Sequence, residues 1–438
     1  MRSLLREYVD AYRGFDREAT AYLLAVLLGA VGGGARALLR NLFLKEIGYG
    51  EDAIGWLQSA AGLGQVLVAL PAIYLMARIG YRRTLRGLYA VEGAASLAQA
   101  LAPVAAVFAA GGLFGGAMGA LYQAVAAPFL MGRAEARSRT HLFGLSFAVV
   151  MAGQALGATL GGAAQELAAR ALGSSLLGYR VAVGLAAVPQ LLALVPLRRL
   201  ADDRPAVPVA GVLASLRLAR PARVAALAAP EVLIGFGAGL TIPFLQIYFR
   251  NTFGQGSLAI GTIYAFQSAA MMAGYLTVPV VARRLGLATT VVLTQALSIP
   301  FFLELAYPHG LGLAILAFCL RAMFMNMGSP AFSQLAQEVV DPSDRRAVQS
   351  IVMLARNGAW MVANVVGGSL IAGAGGTFGT TIALTAGLYV LACSLGAGIY
   401  PVLLRTVPHP PAEAVETSPA PGPAARLQVS PKEKATSC

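Results

Sequence analysis

Four arginines interrupt long apolar runs of the chain: Arg36, Arg40, Arg321 and Arg356. Guanidinium keeps its charge in protein and grips carboxylate or phosphate through paired hydrogen bonds. In the middle of a bilayer-spanning helix each such charge is roughly 2.5–3.5 kcal/mol uphill, so four cost on the order of 10 kcal/mol before pairing. Two compensations are open. Acids or backbone carbonyls of the same chain would make the arginines structural, whereas a negatively charged solute would make them a binding site. Counting along the runs puts Arg321 and Arg356 near the membrane midplane and Arg36 in the outer half of the first run. Arg40, one turn further out, is expected to snorkel to the surface. The candidate substrate contacts are therefore Arg36, Arg321 and Arg356, with Asn357 and Gln154 as polar neighbours. Gln123, Gln267, Asn364 and Tyr122 share that layer, each equally apt for a helix–helix contact. Trp360, one turn past Arg356, would stack on a ligand or fill an interface, and Met323, Met325 and Met327 read as core.

Other chemistries lack their residues. HExxH, GxSxG and His/Cys/Asp clusters at metal spacing are absent from the sequence, so neither catalytic residues nor a metal or cofactor are expected. With no GxxxxGK[ST] the chain carries no ATP-driven engine. His141, His309 and His409 fall at run ends or in the tail, and Glu46 and Glu231 at the margins of the first and seventh runs. No acid is expected at a cavity-lining midplane, which favours exchange or uniport of an anion over proton symport.

The elements that must hold these residues are transmembrane helices. The chain is 57% hydrophobic with a mean hydropathy of +0.68, and only 12% of its residues are charged. Apolar stretches long enough to cross about 30 Å of hydrocarbon recur twelve times. They are expected at 19–44, 53–76, 85–105, 107–131, 141–164, 177–197, 224–249, 257–282, 287–307, 311–334, 347–373 and 378–404. The fold class is thus an all-α integral membrane protein, and ~10-residue alternating barrel strands are excluded. The net charge of +13 is a topology signal rather than a nucleic-acid one. With the N-terminus inside, 25 of the 33 Lys and Arg fall on the cytoplasmic side, four outside and four in the membrane, as the positive-inside rule requires. Both termini are then cytoplasmic, the expected home is the plasma membrane, and the lipid bilayer is the constant partner. Cys319, Cys393 and Cys438 form no disulfide framework.

A six-helix unit is used twice. Ile54-Gly55 matches Ile260-Gly261, Arg78 and Gly80 match Arg284 and Gly286, Arg139 matches Arg345, and Gly161-Gly162 matches Gly367-Gly368, all 206 positions apart. The expected organisation is an amphipathic leader at 1–18, a bundle at 19–197, a cytoplasmic linker with a surface helix at 198–223, a second bundle at 224–405 and a disordered tail at 406–438.

From about residue 15 to 405 the chain resembles the major facilitator superfamily. The loop after the second run matches the pattern G-x-L-a-D-r-x-G-r-R at Leu75, Arg78, Gly80 and Arg82, with Arg284 and Gly286 as its echo in the second half. Ala77 replaces the usual Asp, removing the acid of the family's charge-pair latch. The fifth run follows the antiporter pattern G-x8-G-x3-G-P-x2-G-G at Gly144, Gly153, Gly157 and Gly161-Gly162, with Ala158 in place of Pro. Exchange activity and plain helix packing are both consistent with it. Asp344 and Glu135, beside Arg345 and Arg139, are expected to cap or pair locally. The resemblance implies a monomeric secondary transporter working by alternating access on a small molecule. In such a fold runs one, four, seven and ten line the cavity. Glu92 and Glu304, in runs three and nine, would then be poorly placed to neutralise the arginines. The function expected is transport of an anionic organic solute. Export of amphipathic drugs or lipids and a non-transporting receptor are the alternatives.

Overall fold

In a computed structural model the chain is described over residues 16–69, 71–132, 139–201, 218–341 and 344–406. Most of the expected leader, linker and tail lies outside these residues, as do Glu135 and Cys438. The described helices form twelve rods. The first six are α1 Arg17–Glu46, α2 Glu51–Ala69 continued by Ala72–Ile79, α3 Tyr81–Leu101, α4 Ala105–Gly132, α5 Arg139–Leu172 and α6 Ser175–Leu192. The second six are α7 Pro221–Phe253, α8 Ser257–Leu285, α9 Leu287–Ala306, α10 Leu311–Val339, α11 Arg345–Gly373 and α12 Gly379–Arg405. Nine helices among the described residues are long and apolar enough to cross a membrane. The other three rods are α2, broken before Ala72; α3, which opens on Tyr81-Arg82-Arg83 and carries Glu92; and α11, which carries Arg356 and Asn364.

Proline explains the breaks. It lacks an N–H and its ring crowds the preceding turn. Pro71 precedes the second piece of α2, Pro300 follows the break in α9 at Ser298, and Pro330 follows the break in α10 at Gly328. In α7 Ile242–Phe244 tightens to a 3-10 turn around Pro243. Alternation of up and down rods puts Arg17, Arg199, Pro221 and Arg405 on one face, the terminal face, and the α1–α2, α5–α6, α7–α8 and α11–α12 loops on the opposite, far face.

The apolar core has a forked shape. Toward the far face a single cluster runs through both halves, joining Leu42, Phe43, Ile54 and Tyr179 to Phe244, Tyr248, Ile260 and Phe302. Toward the terminal face it splits in two. One branch is built on Tyr22, Leu85, Tyr89 and Phe129 of the first half, the other on Leu227, Val291, Leu335 and Tyr400 of the second. The halves are joined at the far end and part toward the terminal end.

Two crossings make the far-end junction, and the repeat found in the sequence is their geometry. A Cβ on Gly55 of α2 would collide with the carbonyl of Asn364 on α11, and one on Gly368 with the carbonyl of Glu51. Shifted by 206 positions, Gly261 of α8 meets the carbonyl of Ala158 on α5, and Gly162 meets that of Ser257. Glycine at these four positions is what lets backbone touch backbone. Ser59 adds a hydrogen bond to the Met361 carbonyl at 2.7 Å. Gly80 and Gly286, the matched turn glycines, share a left-handed φ of 90° and 80°.

Candidate functional site

A cavity of about 340 Å³ lies between the halves, below the far-end junction. One wall comes from the first half. Gly33, Arg36, Ala37 and Arg40 form a stripe along α1 at helical spacing, and Gln58 of α2 adds an amide. The opposite wall comes from the second half: Ile242, Pro243 and Gln246 of α7, Tyr264 and Gln267 of α8, Phe318 of α10 and Trp360 of α11. The Pro243 break serves the site directly, because it turns a backbone carbonyl toward α1. A relay follows from it. Arg40 donates to the Gln58 carbonyl at 3.1 Å, the Gln58 amide donates to Asn41 Oδ1 at 2.8 Å, and the Asn41 amide donates to the Pro243 carbonyl. Polar contact thus passes from one half to the other beside the cavity.

The arginines divide into two kinds. Arg36 pairs with Glu92 of α3, and Arg356 pairs with Glu231 of α7 at 3.1 Å. Among the described residues no carboxylate pairs with Arg40 or Arg321. Arg40 is buried and directs its donors to the Leu57 carbonyl at 2.7 Å and to Gln58. Arg321 is 3% exposed and packs its charge over aromatic rings, 5.2 Å from the Phe302 centroid and 5.6 Å from that of Phe318. Its Nε is buried without a partner. Among the described residues of this layer, four guanidinium groups therefore face two carboxylates.

Three expectations are corrected by these contacts. Glu92 is not too peripheral to neutralise an arginine. Gly115 of α4 offers no side chain there, and a Cβ at that position would stand 3.0 Å from Glu92 Oε1 and 3.7 Å from Arg36 Nη2. Arg40 does not snorkel, because Gly112 leaves it room to reach the α2 backbone. Glu231 is not marginal. It is 3% exposed, eleven residues into a helix that starts at Pro221, level with Arg356 twelve residues into α11. Buried acids therefore do exist in the central layer, and the ground for preferring exchange or uniport to proton symport falls away. Glu304 stays apart from the arginines and bonds His309.

The remaining predicted residues scatter. Gln154 is exposed, although its backbone touches Gly34, and Asn357 is half-buried; neither lines the cavity. Asn364 is buried in the α2–α11 crossing, and Tyr122 meets the Tyr22 hydroxyl at 3.3 Å. The side chain of Gln123 lies outside the described residues. In the loop motif Leu75 is half-buried, Arg78 is exposed, and Arg82 donates to the Leu200 carbonyl at 3.5 Å; Arg284 is exposed. Of the α5 glycines, Gly153, Gly157 and Gly161 seat on Leu27, Val31 and Ala35 of α1, and Gly162 on α8. The surroundings of Gly144 lie outside the described residues. The Asp344 carboxylate accepts the Ala219 and Arg220 N–H groups at the start of α7, at 2.9 and 3.1 Å. Sequence reasoning passed over Asn41, Gln58, Gln246, Tyr264 and Phe318 as site residues. The signal available for the first three was an amide inside an apolar run.

Residues 21–230 match the sequence model of the Major Facilitator Superfamily. The chain belongs to the major facilitator superfamily. No curated protein sequence matches it. Among solved structures the fold superimposes on the nucleoside transporter NupG with a TM-score of 0.70 at 14% identity, covering 87% of this chain and 99% of that one. A bacterial homolog of the human lysosomal transporter Spinster, inward-facing and occupied, gives 0.69 at 14%, over 89% and 96%. The human organic anion transporter MFSD10 (TETRAN) gives 0.57 at 19%, over 87% and 99%. These likenesses carry the fold through the second half, which the family model does not reach. This superfamily member is a multi-pass secondary transporter of small molecules and not an enzyme.

Proposed function

We propose that this transporter moves an organic anion by alternating access, with the cavity-lining Arg40 as the anchor for the acidic group. The observation that carries the reading is the charge count of the central layer. Arg36 and Arg356 have resident counter-ions, which leaves Arg40 and Arg321 as a surplus of two positive charges in a low-dielectric layer. Compensation from a bound anion relieves the cost of that surplus. Arg40 lines the cavity, whereas Arg321 lies behind Phe318. The anchor is therefore Arg40 rather than Arg321, Arg356 or Arg36, with Arg321 supplying field rather than contact. Asn357 and Gln154 are not needed as contacts, while Gln58, Gln246 and Gln267 are better placed.

The positive-inside distribution supports a cytoplasmic terminal face. The forked core then describes a conformation closed outside and parted inside, as expected of a monomer in the plasma membrane. Rocking about the site would open the far-end crossings and close the terminal branches. The test is ligand-induced thermal stabilisation and proteoliposome flux with a panel of carboxylates and phosphate esters, comparing the natural chain with Arg40→Gln. The expected result is stabilisation by anions and a loss of affinity of about tenfold or more in the variant, equivalent to about 1.4 kcal/mol. Stabilisation by lipophilic cations instead would establish the drug-exporter alternative. Anion binding without flux would establish a receptor.

A further inference from the structure

The central cavity is polarised across the two halves, and this bears on the shape of its ligand. All of its guanidinium groups stand on the α1 wall, where Gly33 faces open space and Ala37 is small. The wall opposite is aromatic: Tyr264, Phe318 and Trp360 come from three different helices of the second half. Tyr264 and Phe318 are already in ring contact, with centroids 5.1 Å apart and planes inclined at 58°. Aromatic rings take core positions by area alone, but these three front a cavity beside amides rather than filling it.

Arg321 adds a second, independent feature. Its guanidinium carbon sits 5.6 Å from the Phe318 centroid, yet Arg321 does not line the cavity. A cation drawn to a ring's π density leaves that ring less negative toward a further partner. A ring modified in this way suits an electron-rich conjugated partner better than an unmodified phenyl group would. Flat π-systems stack on such walls in offset or edge-on geometry, which a saturated ring of equal size cannot do. The cavity, at about 340 Å³, stands at the small end of ligand sites, which suits a small solute better than a two-chain lipid or a long peptide.

We propose that the solute is a small conjugated or aromatic acid that bridges the halves, its acidic group at Arg40 and its ring system against Tyr264, Phe318 and Trp360. The proposal rests on the reading of this cavity as an anion site and adds the chemistry of the anion's body. Because the ligand touches both walls, its binding would pull on both halves together, a contact that an aliphatic acid held by α1 alone would not make.

The experiment uses the purified full chain and two probes of equal charge and carbon skeleton, 2-naphthoate and decahydro-2-naphthoate. Competition binding and proteoliposome flux are measured for each. The expected result is a preference of about tenfold or more for naphthoate in the natural chain. In Trp360→Leu and Tyr264→Leu the expected ratio falls to within about twofold while melting remains cooperative. The natural-chain ratio carries the test even where a variant fails to fold. Equal binding of the two probes would overturn the aromatic preference and leave the anion site standing. Binding of neither probe, nor of a shorter mono- or dicarboxylate, would overturn the anion site itself.

Discussion

Replacing Glu92 by glutamine keeps the shape of the Arg36 pair and removes its negative half. The two side chains are 16% and 14% exposed, so water screens the pair only slightly. A lone arginine at this depth is about 2.5–3.5 kcal/mol unfavourable, and stripping one partner from a buried pair elsewhere costs about 3–5 kcal/mol. Residual contact with the cavity favours the lower figures, near 3 kcal/mol, or about two powers of ten in the folded-to-unfolded ratio. Arg36→Gln in the same chain removes the orphaned charge and is expected to restore most of that loss. The assay is a double-mutant cycle on reversible unfolding in detergent micelles, with an expected coupling of about 2 kcal/mol. Anion affinity is expected to move the opposite way in Glu92→Gln, because the surplus of positive charge rises from two to three. A coupling within about 0.5 kcal/mol of zero would refute Glu92 as the counter-charge of Arg36.

Glu231→Gln should behave likewise but more mildly, since Arg356 is 32% exposed and can turn to solvent; the same cycle with Arg356→Gln measures it. At the far face Arg250 donates to Glu46 at 2.6 Å and to the Tyr179 hydroxyl at 3.0 Å, crossing from α7 to α1 and α6. Glu46→Gln should loosen that closure, read as several-fold faster thiol labelling of Ser257→Cys in a Cys438→Ser background, because Cys319 and Cys393 are buried. Asp344→Ala should free the start of α7 at a cost of about 1–2 kcal/mol and expose the junction after the linker to limited proteolysis. Unchanged melting and cleavage would show the contact to be idle.

Hydropathy is a local property, and the twelve rods were legible because nothing distant had to be known to find them. The 206-position repeat was equally plain, for glycines at backbone crossings tolerate no substitute and keep their spacing. Pairing was not legible. Arg36 and Glu92 stand 56 residues apart, and whether they meet depends on a missing side chain at Gly115 of a third helix. Glu231 read as marginal because an apolar run does not reveal that its helix begins earlier, at Pro221, and bends at Pro243 rather than ending. Arg40 read as a snorkelling residue since distance to the surface was the only guide, whereas the Leu57 carbonyl lay closer. The candidate cavity was anticipated in its charge but not in its aromatic side, because Tyr264 and Phe318 look like core until two halves are set against each other.

The two glycine crossings of the far face are copies of one contact, set on opposite flanks of the same seam. Closure there is bivalent, so each grip holds its twin at high effective concentration. A bulky residue at Gly55 or Gly261 alone should let the far-face closure flicker rather than fall open, and only the paired substitution should release it.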